Sequence, residues 1–100
     1  MAQETNTTVR GALAATNDAT PIYRFRRAAT PYSTVGVMVY GTWVGTIQIQ
    51  ISDPGRNVWV GIEDWTANGF KELAPPCDCD IRLHFTRTSG TAIGAIINNA

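Results

Sequence analysis

Gly41-Thr42-Trp43-Val44-Gly45-Thr46-Ile47-Gln48-Ile49-Gln50-Ile51-Ser52-Asp53-Pro54-Gly55 decides the fold class. Ile47, Ile49 and Ile51 alternate with Gln48 and Gln50, a period of two that gives one buried and one wet face. β-Branched isoleucines suit a pleated surface. Asp53-Pro54-Gly55 then turns the chain, with proline presetting φ and glycine accepting the left-handed position. Asn57-Val58-Trp59-Val60 begins a second extended run, so residues 41–63 are expected to form a tight hairpin with a Trp on each side of its first strand.

Working outward, Ile22-Tyr23-Arg24-Phe25-Arg26-Arg27 alternates apolar and basic residues and reads as a strand with an Arg-rich outer face. Val35, Val37 and Val39 share one strand face, and Gly36, Met38 and Tyr40 the other. Two apolar faces imply burial on both sides, or an interface on one. Ala67-Asn68-Gly69 carries a turn signature, and Phe70 to Leu73 follows as a short strand ended by Pro75-Pro76. Ile81, Leu83 and Phe85 alternate with Arg82, His84 and Thr86. Thr88-Ser89-Gly90-Thr91 reads as a turn before a last strand, Ala92 to Ile97. Val9 to Ala15 reads as a strand or a short helix, and Thr16 to Pro21 as a turn cluster. The polar segment 1–20 reads as an N-terminal arm that includes this first short element, or as plain terminal disorder at its start; residues 21–100 form the domain. Seven or eight short strands and no convincing helix predict an all-β, antiparallel β-sandwich, jelly-roll-like in its connections. Thirteen threonines agree with that class.

One hundred residues make one domain with a modest core, so oligomerisation would add useful stability. Eight basic and eight acidic residues cancel, which removes the electrostatic footprint of a general nucleic-acid binder. The halves differ: residues 1–50 carry four Arg against two acids, and residues 51–100 four cations against six acids. A head-to-tail contact between copies would use this; evenly scattered surface charge is the plainer reading. Seven of the eight basic residues are Arg, whose rigid fork suits covered polar surfaces. The first residues lack the basic and apolar regions of a signal peptide, and no apolar run reaches membrane-spanning length, so a soluble product of the cytoplasm is expected.

Chemistry is sparse. His84, the only histidine, alternates onto the solvent side. Ser89 has no evident partner and suits a turn. Glu63 and Asp64 are adjacent and so point to opposite faces of a strand. Cys77-Asp78-Cys79 is read as free thiols; a zinc site with His84 and an acid matches no strong spacing, and a disulfide across one residue would be strained. No catalytic, metal-ligating or cofactor-binding residue is assigned. Trp43, Trp59 and Trp65 suit core or interface packing, or a sugar-binding platform. Arg24, Arg26 and Arg27 suit a protein contact or a solvated face.

Taken in order, Gly41-Thr42-Trp43-x-Gly45-Thr46-Ile47-x-Ile49-Gln50-x-Ser52-x-x-Gly55, Trp59, Thr66-Ala67-Asn68-Gly69, Asp80-Ile81-Arg82-Leu83 and Ser89-Gly90-Thr91 resemble small β-sandwich proteins of tailed bacteriophages, the capsid decoration (cement) and related head-associated proteins. The resemblance covers about residues 34–97. It implies a non-enzymatic virion protein on the outer capsid surface, made in the host cytoplasm. It further implies a homotrimer or other cyclic oligomer partnered with the major capsid protein, without cofactor, membrane or nucleic acid. The expected protein contacts are Val9, Arg10, Arg24, Arg26, Arg27, Met38, Tyr40, Trp43, Trp59 and Trp65. A glycan-binding module and a tail or neck ring component are the competing readings.

Overall fold

The structure is a computed structural model, and it describes residues 8–26, 34–75 and 77–98. These residues form six strands, β1 (Val9–Leu13), β2 (Tyr23–Phe25), β3 (Val35–Ser52), β4 (Trp59–Trp65), β5 (Gly69–Leu73) and β6 (Cys79–Asn98), with no helix among them. Every pairing is antiparallel. The all-β class read from the alternation of Ile47, Ile49 and Ile51 therefore holds.

Two long strands organise the sheet. β3 and β6 pair along their whole lengths, from Val35 against Asn98 to Ser52 against Asp80. β5 and then β4 flank the other side of β3 at its two ends, while β1 and β2 flank β6. One half of the sheet thus runs β1-β6-β3-β5 and the other β2-β6-β3-β4. Two expected boundaries are corrected here. Residues 35–40 and 46–52 are one strand, and Thr88-Ser89-Gly90-Thr91 is not a reversal but lies inside β6. Gly90, at φ +80°, takes the backbone through a bend that the flanking strand shares at Gly41 and Gly45, φ +122° and +144°. A glycine that serves a bend has the same sequence signature as one that serves a turn.

The bend folds the sheet upon itself. An 18-residue strand drawn straight would run about 60 Å, yet the longest dimension of the molecule is 41 Å. The connection from Leu73 to Cys79 carries the chain from the Val35 end of β3 to its Ser52 end. Six residue steps reach only about 20 Å, so the two ends must lie near one another. Leu83 and position 94 of the same strand face each other across the interior: a Cβ on Gly94 would lie 2.9 Å from Leu83 Cδ1.

Between the halves sits a core of Leu13, Tyr23, Phe25, Val35, Val37, Val39, Ile47, Ile49, Ile81, Leu83, Phe85 and Ile96, all fully buried. The inward residues of β6 are odd-numbered up to Phe85 and even-numbered from Ala92 on. The pairing shift at Val44/Gly45 explains the change: Gly45 opposes Arg87 and Val44 opposes Ser89, so Thr88 is an extra residue that flips the alternation.

The turn at the head of the hairpin forms as expected. Arg56 N–H donates to Asp53 O (3.0 Å), with Pro54 second and Gly55 third at φ +74°, the type II pattern. The segment read as an N-terminal arm divides. Residues 9–13 are a sheet strand with Leu13 in the core. Residues 17–20 are bound to β6 through Asn17 N–H to Phe85 O (2.7 Å), Phe85 N–H to Asp18 O (2.8 Å) and Thr20 N–H to Leu83 O (2.9 Å). Positions 1–7 of that arm lie outside the described residues.

Candidate interaction surface

Alternation places Arg10 and Ala12 of β1, Ile93, Ala95 and Ile97 of β6, Gly36, Met38 and Tyr40 of β3, and Phe70 and Glu72 of β5 on the outer face of the first half. The rows read Ala12–Ile93–Tyr40, Arg10–Ala95–Met38–Phe70 and Ile97–Gly36–Glu72. Most of this face is apolar. Met38, Ile93 and Ile97 are half-buried; Tyr40 is 43% and Phe70 63% exposed. The Phe70 ring leans over Gly36, where a Cβ would meet it at 3.0 Å. The result is an apolar face with charge only at its margins, Arg10 on β1 and Glu72 on β5. An apolar patch of this kind makes this face the candidate interaction surface.

Met38 and Tyr40 were read from the sequence as interface candidates. Phe70, Ile93 and Ile97 were not, although the signal was present. Ala92-Ile93-Gly94-Ala95-Ile96-Ile97 is apolar without alternation, as expected of a strand covered on both faces.

The other predicted contact residues are dispersed, and several serve the fold. Val9 packs against the core edge. Arg10 and Arg24 are exposed, Arg24 opposite Asp80 in the β2·β6 pairing. Arg26 turns to Asp80, with Nη2 3.1 Å from Oδ1, and its Nη1 donates to Phe25 O (2.9 Å) and Cys79 O (3.1 Å). Arg27 lies outside the described residues. Trp43 meets Phe85 edge-on at 5.7 Å, and its Nε1–H donates to Asn68 Oδ1 (2.7 Å) while Asn68 Nδ2 donates to Gly41 O (3.0 Å). The β4–β5 connection is thereby tied over the bend. Trp65 packs on the core edge and donates to Glu63 Oε2 (2.6 Å). Lys71 also pairs with Glu63, and these two hydrogen bonds, Lys71's first, hold the Glu63 carboxyl below its usual range.

On the outer face of the second half a polar ladder crosses the strands. Arg82 Nε donates to Gln50 Oε1 (2.7 Å), Gln50 Nε2 to Gln48 Oε1 (2.8 Å) and Gln48 Nε2 to Asp64 Oδ1 (3.0 Å). The Arg82 guanidinium lies 4.3 Å from the Trp59 ring centroid, a cation–π stack. Trp59 is therefore covered by Arg82, and the three tryptophans form no common open platform.

Asp64 faces outward beside Gln48 and Glu63 is paired with inward Ile49, so the two carboxylates diverge. Among the described residues no three His, Cys, Asp or Glu side chains come together as a metal site. Cys77 and Cys79 are free thiols, the first exposed and the second buried. Burial, then the neighbouring Cys77 and Asp80, push the Cys79 thiol up to about 11. A thiolate is the reacting species, so iodoacetamide at neutral pH should modify Cys77 alone in the native protein and both thiols in denaturant. Peptide mass mapping reads this; native labelling of Cys79 would contradict its burial.

His84 lies opposite Gln48 and is bridged to Ala19 on its other side. Burial, and secondarily the Arg82 charge, hold its imidazole below the ordinary histidine value. The unfolded chain then binds a proton more readily than the folded one, so stability rises with pH through this group. Its contribution is complete above about pH 6.5, the unfolded value, and is lost as pH falls below it. His84→Gln should flatten the stability change between about pH 7.5 and 5.5 in urea titrations; an unchanged slope would remove His84 as its source.

No family model, curated protein or solved structure matches the chain.

Proposed function

We propose that this chain is a non-enzymatic bacteriophage virion protein, a capsid decoration or cement protein that assembles as a homotrimer or other cyclic oligomer on the outer capsid surface and bridges subunits of the major capsid protein. The observation that carries the reading is the apolar outer face of Met38, Tyr40, Phe70, Ile93 and Ile97, on which Tyr40 and Phe70 stand exposed. A balanced charge agrees with a protein that works by packing. The sequence resemblance over residues 34–97 supplies the phage context. In this reading the folded sheet is a β-sandwich whose long β3/β6 ribbon wraps in jelly-roll fashion. In it β3 and β6 serve once in each layer, so six strands stand where seven or eight shorter ones were expected from the sequence.

The mechanism is preferential binding. A protein that binds only the assembled lattice shifts the equilibrium towards it, and contacts repeated over a shell add by multivalency. The test is co-sedimentation with undecorated capsids. Saturable binding that Met38→Asp abolishes, with the fold intact by circular dichroism, supports the reading. Absence of binding, with protein found instead at the neck or tail, moves it to a ring component. Binding to oligosaccharide but not to capsids puts the glycan reading first. A truncation that probes the N-terminal arm must stop at residue 7, because a deletion through residue 16 removes β1 and the core residue Leu13.

A further inference from the structure

The two margins of the first half are complementary, and we infer that β5 of one copy pairs antiparallel with β1 of the next, continuing the sheet head to tail into a closed ring. This rests on the cyclic assembly of the proposed function and names the surfaces that build it. Among the described residues β1 pairs only with β6, and β5 only with β3, so no described strand lies along the second edge of either. Such edges are templates for pairing with another chain.

Strand direction permits it. β1 is antiparallel to β6, β6 to β3 and β3 to β5, so β1 and β5 run in opposite directions. A second copy set beside the first without being flipped therefore presents an antiparallel edge. Both strands are five residues long. Charge permits it as well. β1 carries Arg10 and no acid, and β5 carries Glu72 on the outer face and Lys71, paired with Glu63, on the inner one.

One register satisfies every position. Val9 opposes Leu73, Arg10 opposes Glu72, Gly11 opposes Lys71, Ala12 opposes Phe70 and Leu13 opposes Gly69. Val9 and Leu73 are both half-buried at the rim of the core, so their pairing extends it from one copy into the next. Arg10 and Glu72 share the outer face, where Glu72 also accepts from Thr34 Oγ1 (2.9 Å). The two largest side chains of β5 on either face, Phe70 and Lys71, meet the small Ala12 and Gly11. Opposite charges directly across antiparallel strands are favourable and like charges unfavourable. A repeated head-to-tail contact closes into a ring when its rotation permits.

The test is mass in solution, followed by a charge exchange. Native mass spectrometry and sedimentation of the wild-type chain should give one discrete multiple of 10.8 kDa. Arg10→Glu and Glu72→Arg should each raise the dissociation midpoint at least about tenfold through like-charge opposition, and the double variant should restore it. Loss of fold would not be rescued by the second reversal. In a Cys77→Ser background, Arg10→Cys combined with Glu72→Cys should give covalent oligomers on mild oxidation, while each single variant stays unlinked. A monomeric wild type, an open-ended size distribution, reversals without effect, or self-linking of a single variant would overturn the head-to-tail ring. Capsid binding by a monomer would sink the ring and leave the decoration reading standing; a ring that ignores capsids would do the reverse.

Discussion

Gly90→Ala should destabilise the protein by about 4 kcal/mol, a large part of the stability of a domain for which the whole is of the order of 5–15 kcal/mol. The new Cβ would lie 2.2 Å from Thr42 O and 2.6 Å from Trp43 Cα, both backbone atoms of the paired strand. Neither can swing aside, so β3 itself must move. Overpacking of this kind costs about 1–3 kcal/mol, and an L-residue held at φ +80° adds about 1–2 kcal/mol. Gly55→Ala is the matched control. Its φ of +74° is nearly the same, but nothing stands within 4 Å of the added Cβ. Only the backbone term remains there, about 1–2 kcal/mol. Urea unfolding followed by tryptophan fluorescence compares the two. Equal losses would mean that the bend is not the tight crossing of β3 and β6 described above.

The same bend explains how far the sequence could be read. The period-two pattern of Ile47, Ile49 and Ile51 survives in the structure because one face of a strand needs only local alternation. Gly90 reads as part of a turn because glycine advertises a positive φ without saying whether the chain reverses or only bends. The extra residue Thr88 has no signature of its own; it is visible only as a change from odd to even inward residues between Phe85 and Ala92. The candidate surface was half legible. Met38 and Tyr40 stood out opposite Val35, Val37 and Val39, but their neighbours Ile93 and Ile97 come from some 55 residues later in the chain and Phe70 from another strand. Register is a long-range property. The Arg26 pairing was hidden for the same reason: beside Arg24 and Arg27 it belongs to a basic run, and only the fold brings it to Asp80.

Arg26→Met should cost about 3–5 kcal/mol, the penalty for leaving a buried charge without its counter-charge. The Asp80 side chain is 3% exposed and Arg26 21%. Asp80 Oδ2 accepts from Gly55 N–H (3.0 Å), whereas Oδ1 faces the guanidinium at 3.1 Å without an aligned hydrogen bond, so that contact is one of charge rather than of direction. Methionine matches the length of the arginine stem and removes the charge, together with the donors to Phe25 O and Cys79 O. The reverse change is milder. Asp80→Asn keeps an acceptor for Gly55 N–H, and the more exposed Arg26 can turn its charge to water, so about 1–2 kcal/mol is expected. The asymmetry follows from burial, since the cost falls on whichever charge cannot reach solvent. Combining Arg26→Met with Asp80→Asn should then cost less than the sum of the two, because the uncharged amide no longer needs a cation. A double-mutant cycle in urea measures this coupling. Equal single losses, or strict additivity, would show that the pair does not hold β2, β6 and the 53–56 turn together through charge.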